Sequence, residues 1–135
     1  KSYVNTIKKN LPDYMGLTFE HMCRDYLLYY EKDLPIELNQ VGQWWGTDNK
    51  NKNQVQIDIV GTPVEGDEYI IGSCKYRNEK IGLDELELIR EYAQVFGKGK
   101  KYYYYIFSKG GFTEGLIQAQ NRREVKLIGL DDLYT

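Results

Sequence analysis

An aspartate and a lysine stand on two apolar segments where isolated charge is costly. Asp58 lies within Val55-Gln56-Ile57-Asp58-Ile59-Val60, and Lys75 within Ile71-Gly72-Ser73-Cys74-Lys75-Tyr76. Charged groups in such surroundings pair with one another or serve a site. A carboxylate can hold a hard cation, and an ammonium group can offset anionic charge. Taken by themselves, the same two residues are better accounted for by a structural ion pair. Strand periodicity places Gln56, Asp58 and Val60 on one face, and Ile71, Ser73 and Lys75 on one face of the next segment. A turn symmetric about Glu65-Gly66 sets Asp58 opposite Ser73. Lys75 is then a diagonal neighbour, roughly 7–8 Å away between backbones.

Periodicity also supplies the elements that must position them. Phe19, Met22, Cys23, Tyr26, Leu27 and Tyr30 follow the spacing of an amphipathic helix over residues 15–31, stopped before Pro35. A short apolar run at 41–46, holding Trp44 and Trp45, reads as a strand, and the polar stretch 47–53 as a loop. Residues 54–61 and 69–77 read as strands joined by the turn-rich stretch 62–68. Asp84, with Glu87 in capping-box position, is expected to open a helix. Leu86, Ile89, Ala93 and Phe96 mark its buried face, and Gly97 its end. Residues 102–107 are apolar or aromatic on both faces and predict an interior strand. A helix over 113–121 and a strand over 125–130 follow. The order α-β-β-β-α-β-α-β predicts an α/β fold, a mixed β-sheet flanked by helices. Residues 1–13 read as a linker or docking arm, and 14–135 as a single domain.

The composition sets bounds. A chain of 135 residues can bury one real core, and 13 tyrosines suit half-buried sheet surfaces. The net charge of −2 argues against tight autonomous DNA binding. It leaves room for a local basic patch, or for DNA delivered by an attached neighbour. Cys23 and Cys74 form no CxxC and read as reduced core thiols of a cytoplasmic protein. No apolar run approaches the roughly 20 residues of a membrane span. Opening at Lys1 without a methionine, the chain reads as a fragment of a longer protein.

The two strand segments resemble the motif of the PD-(D/E)XK nuclease superfamily, with Ile57-Asp58 in place of the proline-aspartate step. Three blocks carry a narrower resemblance: Tyr14-Met15-Gly16-Leu17-Thr18-Phe19-Glu20, then Val41-Gly42-Gln43-Trp44-Trp45-Gly46, then the hairpin. Together, over residues 6–107, they are similar to the restriction-endonuclease-like C-terminal domain of archaeal-type AAA+ ATPases. The resemblance implies a restriction-endonuclease-like fold and a metal-dependent DNA phosphodiesterase. Glu20 would be its helix glutamate, Asp58 its metal-binding aspartate and Lys75 its catalytic lysine. Mg²⁺ or Mn²⁺ would sit on Asp58 and Glu20. The implied partners are DNA and an attached ATPase domain, with ATP bound only by that upstream domain.

Two departures bear on activity. Ser73 stands where the pattern has an acid two residues before the lysine, and Gln56 where the narrower group usually has glutamate. Such a nuclease holds Mg²⁺ on carboxylates, so that a bound water loses its proton more readily. A neutral hydroxyl is a poor substitute, and metal binding should weaken. The expectation is therefore a degenerate or weak phosphodiesterase. The alternative is a non-catalytic interaction or scaffold module regulating the attached ATPase; an active but rearranged site is a third reading. Glu20 is expected to lean toward Asp58 as a migrated acid, with Glu68 and Glu79 less well placed at strand ends.

Other features have plainer accounts. His21, the lone histidine, reads as a surface or partner-contact residue. Gly97-Lys98-Gly99-Lys100-Lys101 lacks phosphate-loop spacing and reads as a solvated basic loop. It could still touch a nucleic-acid backbone with Lys109, Arg122 and Arg123. Tyr102 to Tyr105 suit core packing better than base stacking. Of Trp44 and Trp45, one ring is expected against the first helix, and the other at the site mouth or a domain interface. Tyr92 and Gln94 match positions of substrate contact in some superfamily nucleases.

Overall fold

The computed structural model describes residues 12–134, and its elements follow the expected order with one short helix added at the end. Helix α1 (Pro12–Asp25) runs on into a π-helical turn (Tyr26–Tyr30), closed where the Glu31 N–H donates to the Tyr26 carbonyl at 2.8 Å. Phe19, Cys23 and Leu27, spaced by four, share one face and are fully buried. Tyr30 was expected on that stripe but is 67% exposed. The wider turn inserts a residue and rotates the last side chains off the buried face. Residues 1–11 of the expected linker lie outside the described residues. α1 begins at Pro12, a residue tolerated in the first helical turn.

Strands β1 (Leu38–Asp48) and β2 (Asn53–Pro63) are longer than periodicity suggested and form an antiparallel hairpin. The expected loop shrinks to a tight turn because Asp48 builds one. Its Oδ1 accepts from the Lys50 and Asn51 N–H groups, and its Oδ2 from the Asn51 amide. Lys52 closes the turn at φ 58°.

Strand β3 (Glu68–Lys75) is antiparallel to β2, and β4 (Lys101–Ser108) and β5 (Lys126–Gly129) run parallel beyond it. The sheet order is β1-β2-β3-β4-β5, so β4 is interior, as the tyrosine run predicted. Helix α2 (Leu83–Phe96) joins β3 to β4, and α3 (Glu114–Asn121) joins β4 to β5. Both pack on one face, where Leu86, Ile89, Ala93 and Leu116 meet Ile57, Ile71 and Ile106. α1 and the short α4 (Leu130–Tyr134) cover the other, where Phe19, Cys23 and Leu27 meet Ile59, Ile70 and Phe107. The result is three layers, helices on both faces of a mixed sheet.

The helix ends are only partly as expected. α2 is capped by Gly82 with no side-chain bond, rather than by Asp84, which sits in the first turn beside Glu85. Carboxylates there meet the positive end of the helix dipole. Gly97 ends α2 in the left-handed region at φ 68°, as the sequence indicated. Thr113 caps α3, its Oγ1 accepting from the Leu116 N–H. No helix among the described residues is long and apolar enough to cross a membrane.

Candidate functional site

The β2–β3 ladder is short: only Ile59–Gly72, Val60–Ile71 and Gly61–Ile70 are paired. Continued, that register would set Asp58 opposite Ser73, as the sequence suggested. The strands instead part at this point. On the other side of β2, Gly42 pairs with Val60 but Trp44 with Ile57, so Gln43 answers both Asp58 and Ile59. This is a β-bulge, a device that re-aims a side chain and ends pairing. It also breaks the alternation assumed from sequence. Val55 and Ile57 pack on the α2 side, Ile59 on the α1 side, and Val60 on the α2 side again. Asp58 therefore shares no regular face with Val60.

The parting strands leave a cavity of about 290 Å³, bordered by Gln54, Gln56 and Asp58 of β2, Ser73 and Lys75 of β3, and Glu85 of α2. The Cys74 N–H, freed from the ladder, donates to Asp58 Oδ2 at 2.9 Å. Ser73 is buried and donates from Oγ to Glu85 Oε2 at 2.6 Å. Lys75 Nζ lies 3.6 Å from the same Glu85 oxygen. The expected Asp58–Lys75 pairing is thus replaced: the lysine's partner within ion-pair distance is Glu85, because α2's first turn comes closer to Lys75 than the bulged strand does. Asp58 and Lys75 still border one cavity.

Glu85 is the residue that reading along the strands overlooked. It is a buried acid, 9% exposed, on a helix otherwise rich in surface carboxylates. A signal was present. Glu85 stands four residues before Ile89 and eight before Ala93, on the buried stripe of α2. Its carboxylate reaches the space that Ser73, being short, leaves open.

Glu20 is placed differently. It accepts from Gln43 Nε2 at 2.8 Å and lies 3.9 Å from Arg24 Nη1, and it does not border the cavity. Its charge still reaches Asp58. Burial pushes the Asp58 carboxyl above the usual aspartate range, the Cys74 N–H draws it back, and Glu20 and Glu85 add to the rise against Lys75. Of the other acids considered, Glu68 accepts from the Tyr103 hydroxyl at 2.7 Å, and Glu79 is exposed. Tyr92 borders the cavity and Gln94 does not. Trp44 packs edge-on against Phe96 of α2 rather than on α1, and Trp45 is exposed. His21 lies at the surface beside Arg24.

A family model for archaeal and bacterial proteins of unknown function, DUF234, matches residues 1–88, well over half of the chain. The chain belongs to the DUF234 family. The match takes in the hairpin, β3 and the first turn of α2, so every charged group around the cavity lies within the family segment. Among solved structures, the DUF234 chain is similar to a crystal structure titled as a protein of unknown function, AF1548. The TM-score is 0.52 and the identity 19%, over 85% of this chain. The chain spans 64% of that protein's length, and the likeness is one of fold. No curated protein matches.

The donor set of the DUF234 cavity suits a hard cation, sparingly. Asp58 Oδ1 and Glu85 Oε1 have no hydrogen-bond partner among the described residues, whereas their sister oxygens are held by Cys74, Ser73 and Lys75. Two carboxylates beside a solvent-reached cavity are what Mg²⁺ commonly takes, with waters completing its shell. No cluster of three or more acidic, histidine or cysteine ligands occurs among the described residues.

Proposed function

We propose that this DUF234 chain is the nuclease-fold domain of an AAA+ ATPase, with a rearranged metal-dependent phosphodiesterase site acting on nucleic acid. The observation that supports it is Glu85. An acid from α2 stands 2.6 Å from the hydroxyl of Ser73 and 3.6 Å from the Lys75 ammonium, beside the cavity that Asp58 enters. The acid lost from the strand has a counterpart on the helix. Asp58 and Glu85 would hold the cation, which when bound would supply a more acidic water and offset charge developing on the phosphate. Lys75, fixed by Glu85, would meet a phosphate oxygen and orient the attacking water. Ser73 holds the Glu85 carboxylate in position.

Supercoiled plasmid incubated with Mg²⁺ or Mn²⁺ provides the test. Nicking by the wild-type chain should fall at least about a hundredfold in Asp58→Asn and in Glu85→Ala. Returning the acid to the strand, in the double variant Ser73→Glu with Glu85→Ala, should recover part of it. Equal traces of nicking in wild type and Asp58→Asn would sink the catalytic reading. The sparse donor set favours a second reading, a scaffold module that regulates its attached ATPase. In that case excising the domain changes ATP turnover or assembly while Asp58→Asn changes neither.

A further inference from the structure

One strand away from the cavity, on the face of the β1–β2 hairpin opposite Trp44 and α2, lies an aromatic ring without an evident structural task. Trp45 is 63% exposed and makes no ring contact among the described residues. Its neighbour Trp44 does the packing: it meets Phe96 at 5.3 Å, and only glycine at position 46 leaves room for its ring. Trp45 pairs across the strands with Gln56, and directly paired residues share a face. Gln56 in turn borders the cavity with Asp58. The next pair on that face is Thr47 with Gln54, and the hairpin tip beyond carries exposed Lys50 and Lys52.

We infer that Trp45, flanked by Gln56 and Gln54, is a stacking platform for an unpaired nucleotide of the strand that enters the Asp58–Glu85 cavity. The inference rests on the phosphodiesterase reading and names its substrate class: nucleic acid with a single-stranded segment beside the bond to be cut. Every base has a π-face, and a tryptophan plate uses it only when the base is unstacked from its neighbours. Glutamine amides offer both a donor and an acceptor to base edges. The five steps from Asp58 back to Asn53 span about 17 Å of strand, and Lys52 stands in the turn just beyond. The track thus runs from carboxylates and Lys75, across uncharged stacking and amide groups, to two lysines suited to backbone phosphates. A protein-binding patch of this size would favour apolar neighbours around the ring. Here Thr47, Gln54 and Gln56 surround it, all exposed.

Fluorescein-labelled oligothymidylate of about 12 nucleotides, the matching duplex and oligouridylate, each in Ca²⁺ buffer, test the inference by anisotropy. The wild-type chain should prefer a single strand to the duplex. Trp45→Ala should weaken single-strand binding about tenfold or more and duplex binding less than twofold, while Trp45→Phe retains most of the affinity. Preference for the deoxy or the ribo strand would supply the sugar, and either supports the platform. Single-strand binding within twofold of wild type in Trp45→Ala, or equal losses on strand and duplex, would overturn it. So would a wild-type dimer in light scattering that Trp45→Ala dissolves. The two readings fail separately. Trp45-dependent binding without Asp58-dependent cleavage removes the catalysis alone, and Asp58-dependent cleavage indifferent to Trp45 removes the platform alone.

Discussion

The parallel strands β3 and β4 carry charge and aromatic rings at both ends, and the two ends treat them differently. Where β4 begins, each group has a local partner. Lys100 lies 3.8 Å from Asp67, Lys98 sits over Phe96, and Lys101 over the ring of Tyr103. The Tyr103 hydroxyl donates to Glu68 at 2.7 Å, and the Tyr102 hydroxyl accepts from the Gly99 N–H at 2.8 Å. Where β3 ends, Glu85 is buried and Asp58 is held above its ordinary pKa by burial. The strands are the same; what differs is the parting of β2 from β3 and the arrival of α2's first turn. Charge that reaches solvent and finds a neighbour is cheap. Charge kept in a half-closed cavity is the costlier arrangement.

The sharpest way to break this contrast is Glu85→Ala. It strips Ser73 and Lys75 of their shared partner in a largely buried place, where side-chain exposure is 26% for the lysine and 11% for the glutamate. Urea denaturation should show a loss of about 2 kcal/mol, below the figure for a fully buried pair because Lys75 keeps some contact with water. Adding Lys75→Met should recover part of the loss, since the uncompensated charge is then gone. A loss under about 0.5 kcal/mol would put this end on the same footing as the other.

Asp58→Asn should do the opposite. Asparagine can still accept from the Cys74 N–H but carries no charge into the cavity. The folded-state pKa of Asp58 lies above the unfolded value near 3.8. Its favourable contribution is therefore complete below that value and is lost as pH rises through the folded pKa. The variant should melt higher than wild type at neutral pH, and the difference should vanish below pH 3.8. A lower melting point at neutral pH would mean that Asp58 stabilises the fold as a structural ion would. Raised stability with lost metal-dependent nicking is the trade expected of a functional carboxylate.

Much of this was legible beforehand, for identifiable reasons. The apolar stripe of α1 as far as Leu27, that of α2, the interior character of β4 and the Gly97 stop are local patterns, and they survive folding. Strand period and a symmetric turn brought Asp58, Ser73 and Lys75 to one place, and the three do border one cavity, though across parted strands and with Glu85 as the lysine's partner. The bulge at Asp58–Ile59 left no mark in the sequence, because the apolar–polar pattern from Val55 to Ile59 runs straight across it and only the pairing opposite Gln43 reveals that the faces shift. The π-helical turn hid for a similar reason: one extra residue exposes Tyr29 and Tyr30 without altering composition. Glu85 was obscured by company, among Asp84, Glu87 and Glu91 on one helix. Only its phase relative to Ile89 sets it apart.

The smallest effect belongs to the well-partnered end. Lys100 and Asp67 have side-chain exposures of 69% and 53%, so water and salt screen their attraction and ordering two mobile chains offsets the gain. Lys100→Ala should change stability by less than about 0.5 kcal/mol. The triple replacement of Lys98, Lys100 and Lys101 by alanine should leave single-strand affinity within about twofold, apart from a small general effect of lost positive charge. These lysines lie at the opposite end of the β3–β4 pair from Lys75, and their nearest groups are Phe96, Asp67 and Tyr103. A loss as large as that of Trp45→Ala would move the nucleic-acid track to the wrong end of the sheet. Asp58 and Glu85 would then face a cavity that no bound strand approaches.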